Sequence, residues 1–313
     1  MCIRDRNAPA QLIEYIYVLK RQDRSLIQYG WIIHGLQLLA VFVPIYWGRG
    51  ISGVFHGLVG WSMVKMGWLI FLLIKYGEAK LDRMVLQKII LFIAPLCVHM
   101  LLGSGMEYVD GFLVARYFEE EQFAIFRYGA RELPFVSILV GALAATMIPL
   151  AVEKEKVAIN QIKQQIGQMS NWMYPLTILL MVLSPYLFPL VYNASFRPSA
   201  QIFNIYLLII SSRILLPQVF LYSRQHTSIL VLSALFELLL NLCLSLWLLN
   251  LYGLAGIAIA TVVAYLFNKL FLLVYIWKRL NIKIEEYLDW RRYLIYNGLL
   301  LVVFWWSMSS ISN

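Results

Sequence analysis

Apolar residues fall along this chain in blocks of about 20, each closed by a short polar or charged stretch. That is the length a helix needs to cross a bilayer core of ~30 Å at 1.5 Å per residue. The blocks lie at about 26–47, 51–75, 89–113, 123–150, 171–192, 201–222, 228–249, 254–277 and 293–311. They predict an all-α, polytopic membrane protein with about nine transmembrane helices. Ahead of them, Asn7 to Arg24 carries apolar residues at helical spacing with a basic end, an interfacial or connecting helix. Between the fourth and fifth blocks, Ile159, Ile162, Ile166 and Met169 mark one apolar face, which predicts a helix lying on the membrane surface. The opening MCIRDR reads as foreign to the rest of the chain, a scar ahead of a truncated reading frame, and takes no part in the fold reasoning.

One stretch breaks the pattern. From Glu107 to Phe135 the sequence runs EYVDGFLVARYFEEEQFAIFRYGARELPF and crowds Glu107, Asp110, Arg116, Arg127, Arg131 and Glu132 between two apolar blocks. A charge at the centre of a membrane helix costs about 2.5–3.5 kcal/mol on insertion scales. Ionisable groups there are therefore paired structurally or functional. Asp110 and Arg127 are expected to pair near one interface, and Arg131 lies a turn deeper.

Basic residues orient the spans. With the N-terminus in the cytoplasm, the inside segments hold Lys20, Arg21, Arg24; Lys75, Lys80, Arg83, Lys88; Lys154, Lys156, Lys163; Arg224; and Lys278, Arg279, Lys283, Arg291, Arg292. The outside loops hold only Arg49, Arg116 and Arg197, so the expected topology is N-inside with the C-terminus outside. A repeat is also legible. Gly50 and Gly53 open the second span, Gly253 and Gly256 open the eighth, and each runs on through a lysine, Lys65 or Lys269, to a basic end. An even number of helices separates the copies, so the repeat is parallel, as in many secondary transporters.

Composition agrees with a membrane protein. The chain is 61% hydrophobic and 14% charged, against about 25% charged in soluble proteins. The net charge of +9 sits mostly between the blocks, so it reads as membrane topology and not as nucleic-acid binding. Cys2, Cys97 and Cys243 are far apart, which predicts neither a disulfide framework nor a metal site. No cofactor is expected, and His34, His56, His99 and His226 are isolated. Nucleophile-elbow, zinc-protease and P-loop motifs are absent, so an enzyme is not expected.

Four charges fall near the middle of their spans. Lys65 lies ten residues before Lys75, roughly 15 Å from that end, and Lys269, Arg213 and Glu237 reach a similar depth. A lysine stem cannot carry its charge to water from there, so these groups are paired or face a water-filled cavity. One reading is an Arg213–Glu237 pair. The other is a chamber with surplus positive charge, to which Arg127 and Arg131 add from one helix face, suited to an anionic headgroup such as a phosphate.

The segment from Ala94 to Lys156, with Asp110 late in one helix, Phe126 to Ala130 in the next and Pro149 after it, resembles the opening helix pair of the C-terminal lobe in Wzx-like polysaccharide flippases. These belong to the multidrug/oligosaccharidyl-lipid/polysaccharide exporter superfamily. YGLAGIAIATVVAYLF at 252–267 is similar to that lobe's penultimate-helix opening, and GISGVFHGLVGWSMVK at 50–65 to its counterpart in the first lobe. The resemblance covers about 26–280 and implies part of a two-lobe flippase fold of the MATE/MurJ type, lacking the first helices. It divides the chain into an N-terminal segment at 1–25, the last helix pair of the N-terminal lobe at 26–85, a six-helix C-terminal lobe at 86–280, and a connector with a trailing transmembrane helix at 281–313.

The implied activity is the flipping of polyprenyl-diphosphate-linked oligosaccharide across the bacterial cytoplasmic membrane, for surface polysaccharide such as O-antigen. The implied partners are that glycan lipid, the bilayer, and other membrane proteins of polysaccharide assembly. Lys65, Arg127, Arg131, Arg213 and Lys269 would bind substrate, with Asp110, Glu132 and Glu237 as structural or coupling acids. Two other functions compete with this one. A cation-coupled small-molecule exporter of the same superfamily calls for an acidic cavity, and a membrane-embedded polysaccharide polymerase for a large outer loop or a His/Asp pair at an interface.

Overall fold

The structure, a computed structural model, describes residues 12–19, 23–77, 82–131, 134–153 and 156–312. Among the described residues every regular element is helical: α1 (Leu12–Leu19), α2 (Asp23–Tyr46), α3 (Gly50–Tyr76), α4 (Arg83–Tyr117), α5 (Glu120–Gly129), α6 (Pro134–Glu153), α7 (Lys156–Val191), α8 (Ser199–Leu207), α9 (Ile210–Arg213), α10 (Pro217–Ser223), α11 (Ser228–Tyr252), α12 (Leu254–Leu280), α13 (Ile284–Tyr287) and α14 (Trp290–Ser312), with a 3-10 turn at Ala194–Phe196. Among the described residues, seven helices are long and apolar enough to cross a membrane, and the bent pair Ala194–Arg213 with Pro217–Ser223 makes an eighth. The ninth expected span falls on α14, which is helical but is not among these candidates. The chain divides into two compact units, Met1–Arg83 and Met84–Asn313.

In the first unit, α2 and α3 form a hairpin. Gly50 opens α3 at φ 60°, a left-handed conformation that a Cβ makes costly. One turn on, a Cβ at Gly53 would collide with Arg49 and crowd Pro44. The second unit repeats the device between α11 and α12. Gly253 takes φ 59° and ψ −134°, and a Cβ at Gly256 would run into the backbone of Leu248. The two glycine pairs legible in the sequence thus do the same two jobs, one reversing the chain and one letting adjacent helices touch.

In the second unit the spans are less regular than expected. The fourth block is two helices: Pro134 lacks an N–H and disfavours helix at the residue before it, so α5 ends at Gly129 and α6 starts afresh. The sixth is broken after Arg213, where Leu216 adopts φ 42° before Pro217, and the two parts bend by 46°. The predicted membrane-surface helix is instead the first half of α7, a single 36-residue helix. Its apolar face is the one expected, but side chains of the α13 segment cover it in place of lipid. Ile162 and Ile166 are 1% exposed, packed in one core with Ile282, Tyr287 and Leu288 of the α13 segment. Lys163 Nζ also donates to the Glu285 carbonyl at 2.8 Å, fixing that segment on α7.

Candidate functional site

Two groups of chemistry-bearing residues lie in the second unit. The first is a cavity of about 30 Å³, room for a water or two, lined by Arg131, Thr177, Phe203, Tyr206 and Arg213 among others. Both arginines stand at interruptions of their helices, Arg131 between α5 and α6 and Arg213 at the last residue of α9. The Arg213 guanidinium lies over the Tyr265 ring of α12, 5.7 Å from its centre. A cation–π contact of this kind holds the guanidinium near the ring face.

The second is a buried polar network. Asp110, on α4, is 3% exposed. Its Oδ2 accepts from Thr261 Oγ1 at 2.7 Å and from the Tyr206 hydroxyl at 3.1 Å. Thr261 in turn accepts from Asn241 Nδ2 at 2.9 Å. Deeper along the same helix pair, Glu237 Oε2 accepts from Asn268 Nδ2 at 2.6 Å. A carboxylate surrounded by donors in a low-dielectric interior is held in one place, because each unmet polar atom there is costly.

The structure distributes the residues expected from sequence unevenly. Arg131 and Arg213 meet on one cavity. Arg127 is exposed on α5, and the expected Asp110–Arg127 pair is replaced by the Tyr206 and Thr261 hydroxyls, which reach Asp110 from α8 and α12. Lys269 is half-buried on α12, one turn beyond Tyr265. Lys65 belongs to the first unit, where it is 8% exposed. Its Nζ donates to Gln37 Oε1 of α2 at 3.0 Å and faces the Trp61 ring. Glu132 lies outside the described residues.

Tyr206, Asn241, Thr261 and Asn268 are not among the residues expected from sequence, yet a signal for them is there. Ser233, Glu237, Asn241 and Ser245 recur every fourth residue in an otherwise apolar helix, and all four are buried. That period is one face of a helix, and polar side chains on one face of a membrane helix mark a helix–helix contact.

Residues 32–313 match the family model described as "Lipid II flippase MurJ". Among solved structures, the chain is similar to "Lipid II flippase MurJ, inward closed conformation", with a TM-score of 0.55 and 16% identity, over 93% of this chain and 63% of that one. A second similar structure is a MOP-superfamily transporter from Pyrococcus furiosus, with a TM-score of 0.48 and 16% identity, over 71% of this chain and 52% of that one. No curated protein matches. The chain therefore spans a little under two thirds of the MurJ structure it resembles.

Proposed function

The chain belongs to the lipid II flippase MurJ family, a family of transporters and not of enzymes, and on that premise we propose that it is the larger part of an alternating-access carrier for polyprenyl-diphosphate-linked saccharide in the cytoplasmic membrane. The observation that supports this best is the meeting of Arg131 and Arg213 on one cavity, each at a helix break. Irregular backbone within a membrane is tolerated where it lines a cavity, and interrupted helices build the binding sites of secondary transporters. Arginine binds phosphate oxygens bidentately. The cavity of about 30 Å³ is too small for a headgroup, so the site must open to load, as alternating access requires.

In this reading 26–85 is the last helix pair of the N-terminal lobe, 86–280 the C-terminal lobe, and the N-terminus is cytoplasmic. Arg131 and Arg213 address the diphosphate, Arg127 and Lys269 extend the positive field, Lys65 of the first unit is a further substrate-binding residue, and Asp110 and Glu237 serve as structural or coupling acids. Lipid II and a surface-polysaccharide repeat unit hang from the same polyprenyl diphosphate, so these arginines do not separate the two; which precursor accumulates in cells lacking the protein does.

The test is lipid binding by the purified chain in nanodiscs. Undecaprenyl diphosphate is expected to bind at least tenfold tighter than undecaprenol, and Arg131→Gln with Arg213→Gln to abolish that preference while protein abundance holds. Equal binding of the two lipids by the unaltered chain defeats the proposal.

A further inference from the structure

The break between α9 and α10 leaves carbonyl oxygens without helical partners, and two of them are met from an unexpected place. Leu215 N bonds to Ser212 O at 3.3 Å in place of Ser211 O, and Val219 N bonds to Leu216 O at 3.2 Å in place of Leu215 O. Inside a protein in a membrane such oxygens must find another donor. Ser211 O receives the Tyr293 hydroxyl at 3.0 Å, and Leu215 O receives the Tyr287 hydroxyl at 3.1 Å. These two capped carbonyls bracket Arg213.

The donors come from the segment C-terminal to the six-helix lobe, and that segment is itself anchored. Tyr287 is fully buried, its ring 4.8 Å from that of Phe220 in α10. Asn297 Nδ2 donates to the Tyr174 hydroxyl at 2.8 Å, Tyr296 donates to Asn171 Oδ1 at 2.9 Å, and the Tyr174 and Tyr296 rings stack at 4.8 Å. With Lys163 on the Glu285 carbonyl, α13 and α14 are clipped to α7 on several turns. Burial also pushes the Tyr287 hydroxyl well above its ordinary range, so it stays protonated and remains a donor.

We propose that Tyr287 and Tyr293 are positioning residues: their hydroxyls cap the broken span at Leu215 and Ser211, set the geometry of the break, and so aim Arg213 at the cavity it shares with Arg131. The α13–α14 segment is then part of the binding machinery without touching the ligand. This rests on the reading of Arg213 as a diphosphate ligand, and the experiment separates the two.

The full chain in nanodiscs is compared with Tyr287→Phe, Tyr293→Phe, Arg213→Gln and each tyrosine change combined with Arg213→Gln. Tyr275→Phe, which removes a tyrosine hydroxyl bonded to His226 at 2.8 Å and not to the Ser211 or Leu215 carbonyl, is the control. Two readouts are taken, undecaprenyl diphosphate affinity and hydrogen exchange of amides in 208–223. Each tyrosine change is expected to weaken binding about fivefold, the worth of one hydrogen bond, with no further loss in the Arg213→Gln background. Exchange across 208–223 is expected to rise in both and in neither the control nor Arg213→Gln. 4-Aminophenylalanine at 287 or 293, which keeps a donor in place, is expected to restore both readouts, and its accumulation where phenylalanine fails to accumulate counts for the proposal. Unchanged exchange, binding losses that add to that of Arg213→Gln, or no rescue overturns it. If the unaltered chain shows no preference for the diphosphate, the transport reading falls, and the exchange comparison alone decides the role of the tyrosines.

Discussion

Asp110 and Thr261, 151 positions apart in the chain, are joined by a hydrogen bond of 2.7 Å in a buried setting. Thr261 donates to the carboxylate and accepts from Asn241, so one hydroxyl links α4, α11 and α12. Lipid is as apolar as a leucine core, so helix association inside a bilayer depends on packing and on bonds of this kind.

Thr261→Val keeps the shape and removes the hydroxyl. It strands the Asn241 amide and takes a donor from Asp110, which is expected to cost about 1–3 kcal/mol. Thr261→Ser is expected to remain close to the unaltered chain. Thermal unfolding in detergent reads both, and a valine variant as stable as the parent would remove this network from the account of the fold.

Glu237 and Asn268 offer a parallel test one step along the same helix pair. Glu237→Leu leaves the Asn268 amide, 2.6 Å from the carboxylate in the parent, without its acceptor, again at about 1–3 kcal/mol. Glu237→Gln keeps an acceptor oxygen and is expected to accumulate normally. Lower abundance for the glutamine variant than for the leucine one contradicts this assignment.

Two glycines differ sharply in what surrounds them. A Cβ on Gly129 would sit 2.6 Å from the Ser199 carbonyl oxygen and 2.8 Å from Ile202 Cβ, whereas Gly141 has nothing within 4 Å. Gly129→Ala is expected to force α5 and α8 apart and lose about 1–3 kcal/mol. Gly141→Ala should be neutral or gain up to about 1 kcal/mol from helix propensity. Equal unfolding temperatures for the two variants would rule out the close approach of α5 and α8.

The proposed orientation predicts opposite-side labelling at two exposed positions, Ser195→Cys before α8 and Glu286→Cys in α13. Ser199 would not serve, being fully buried. With the native cysteines replaced, a membrane-impermeant maleimide added to intact cells should react at 195 and reach 286 only after permeabilisation. Reaction of both before permeabilisation would invert or break the assignment.

The all-helical membrane character, most span positions and the two glycine turns were set by the sequence itself. Each depends on local rules: an apolar run long enough for a bilayer, a proline that cannot continue a helix, a glycine free to take positive φ. The apolar face of the first half of α7 was legible for the same reason, since Ile162, Ile166 and Met169 share a face by helical period alone. What covers that face was decided by the fold. A membrane surface and the Ile282, Tyr287 and Leu288 side chains are both apolar partners, and periodicity does not distinguish them. The partner of Asp110 was decided the same way. Sequence proximity offered Arg127, while the folded lobe brings Thr261 and Tyr206 from distant helices and leaves Arg127 exposed. The breaks that bring Arg131 and Arg213 to one cavity lie between these cases. Pro134 and Pro217 announce them, but only packing supplies the tyrosine hydroxyls that let the second break exist in a buried, water-poor place.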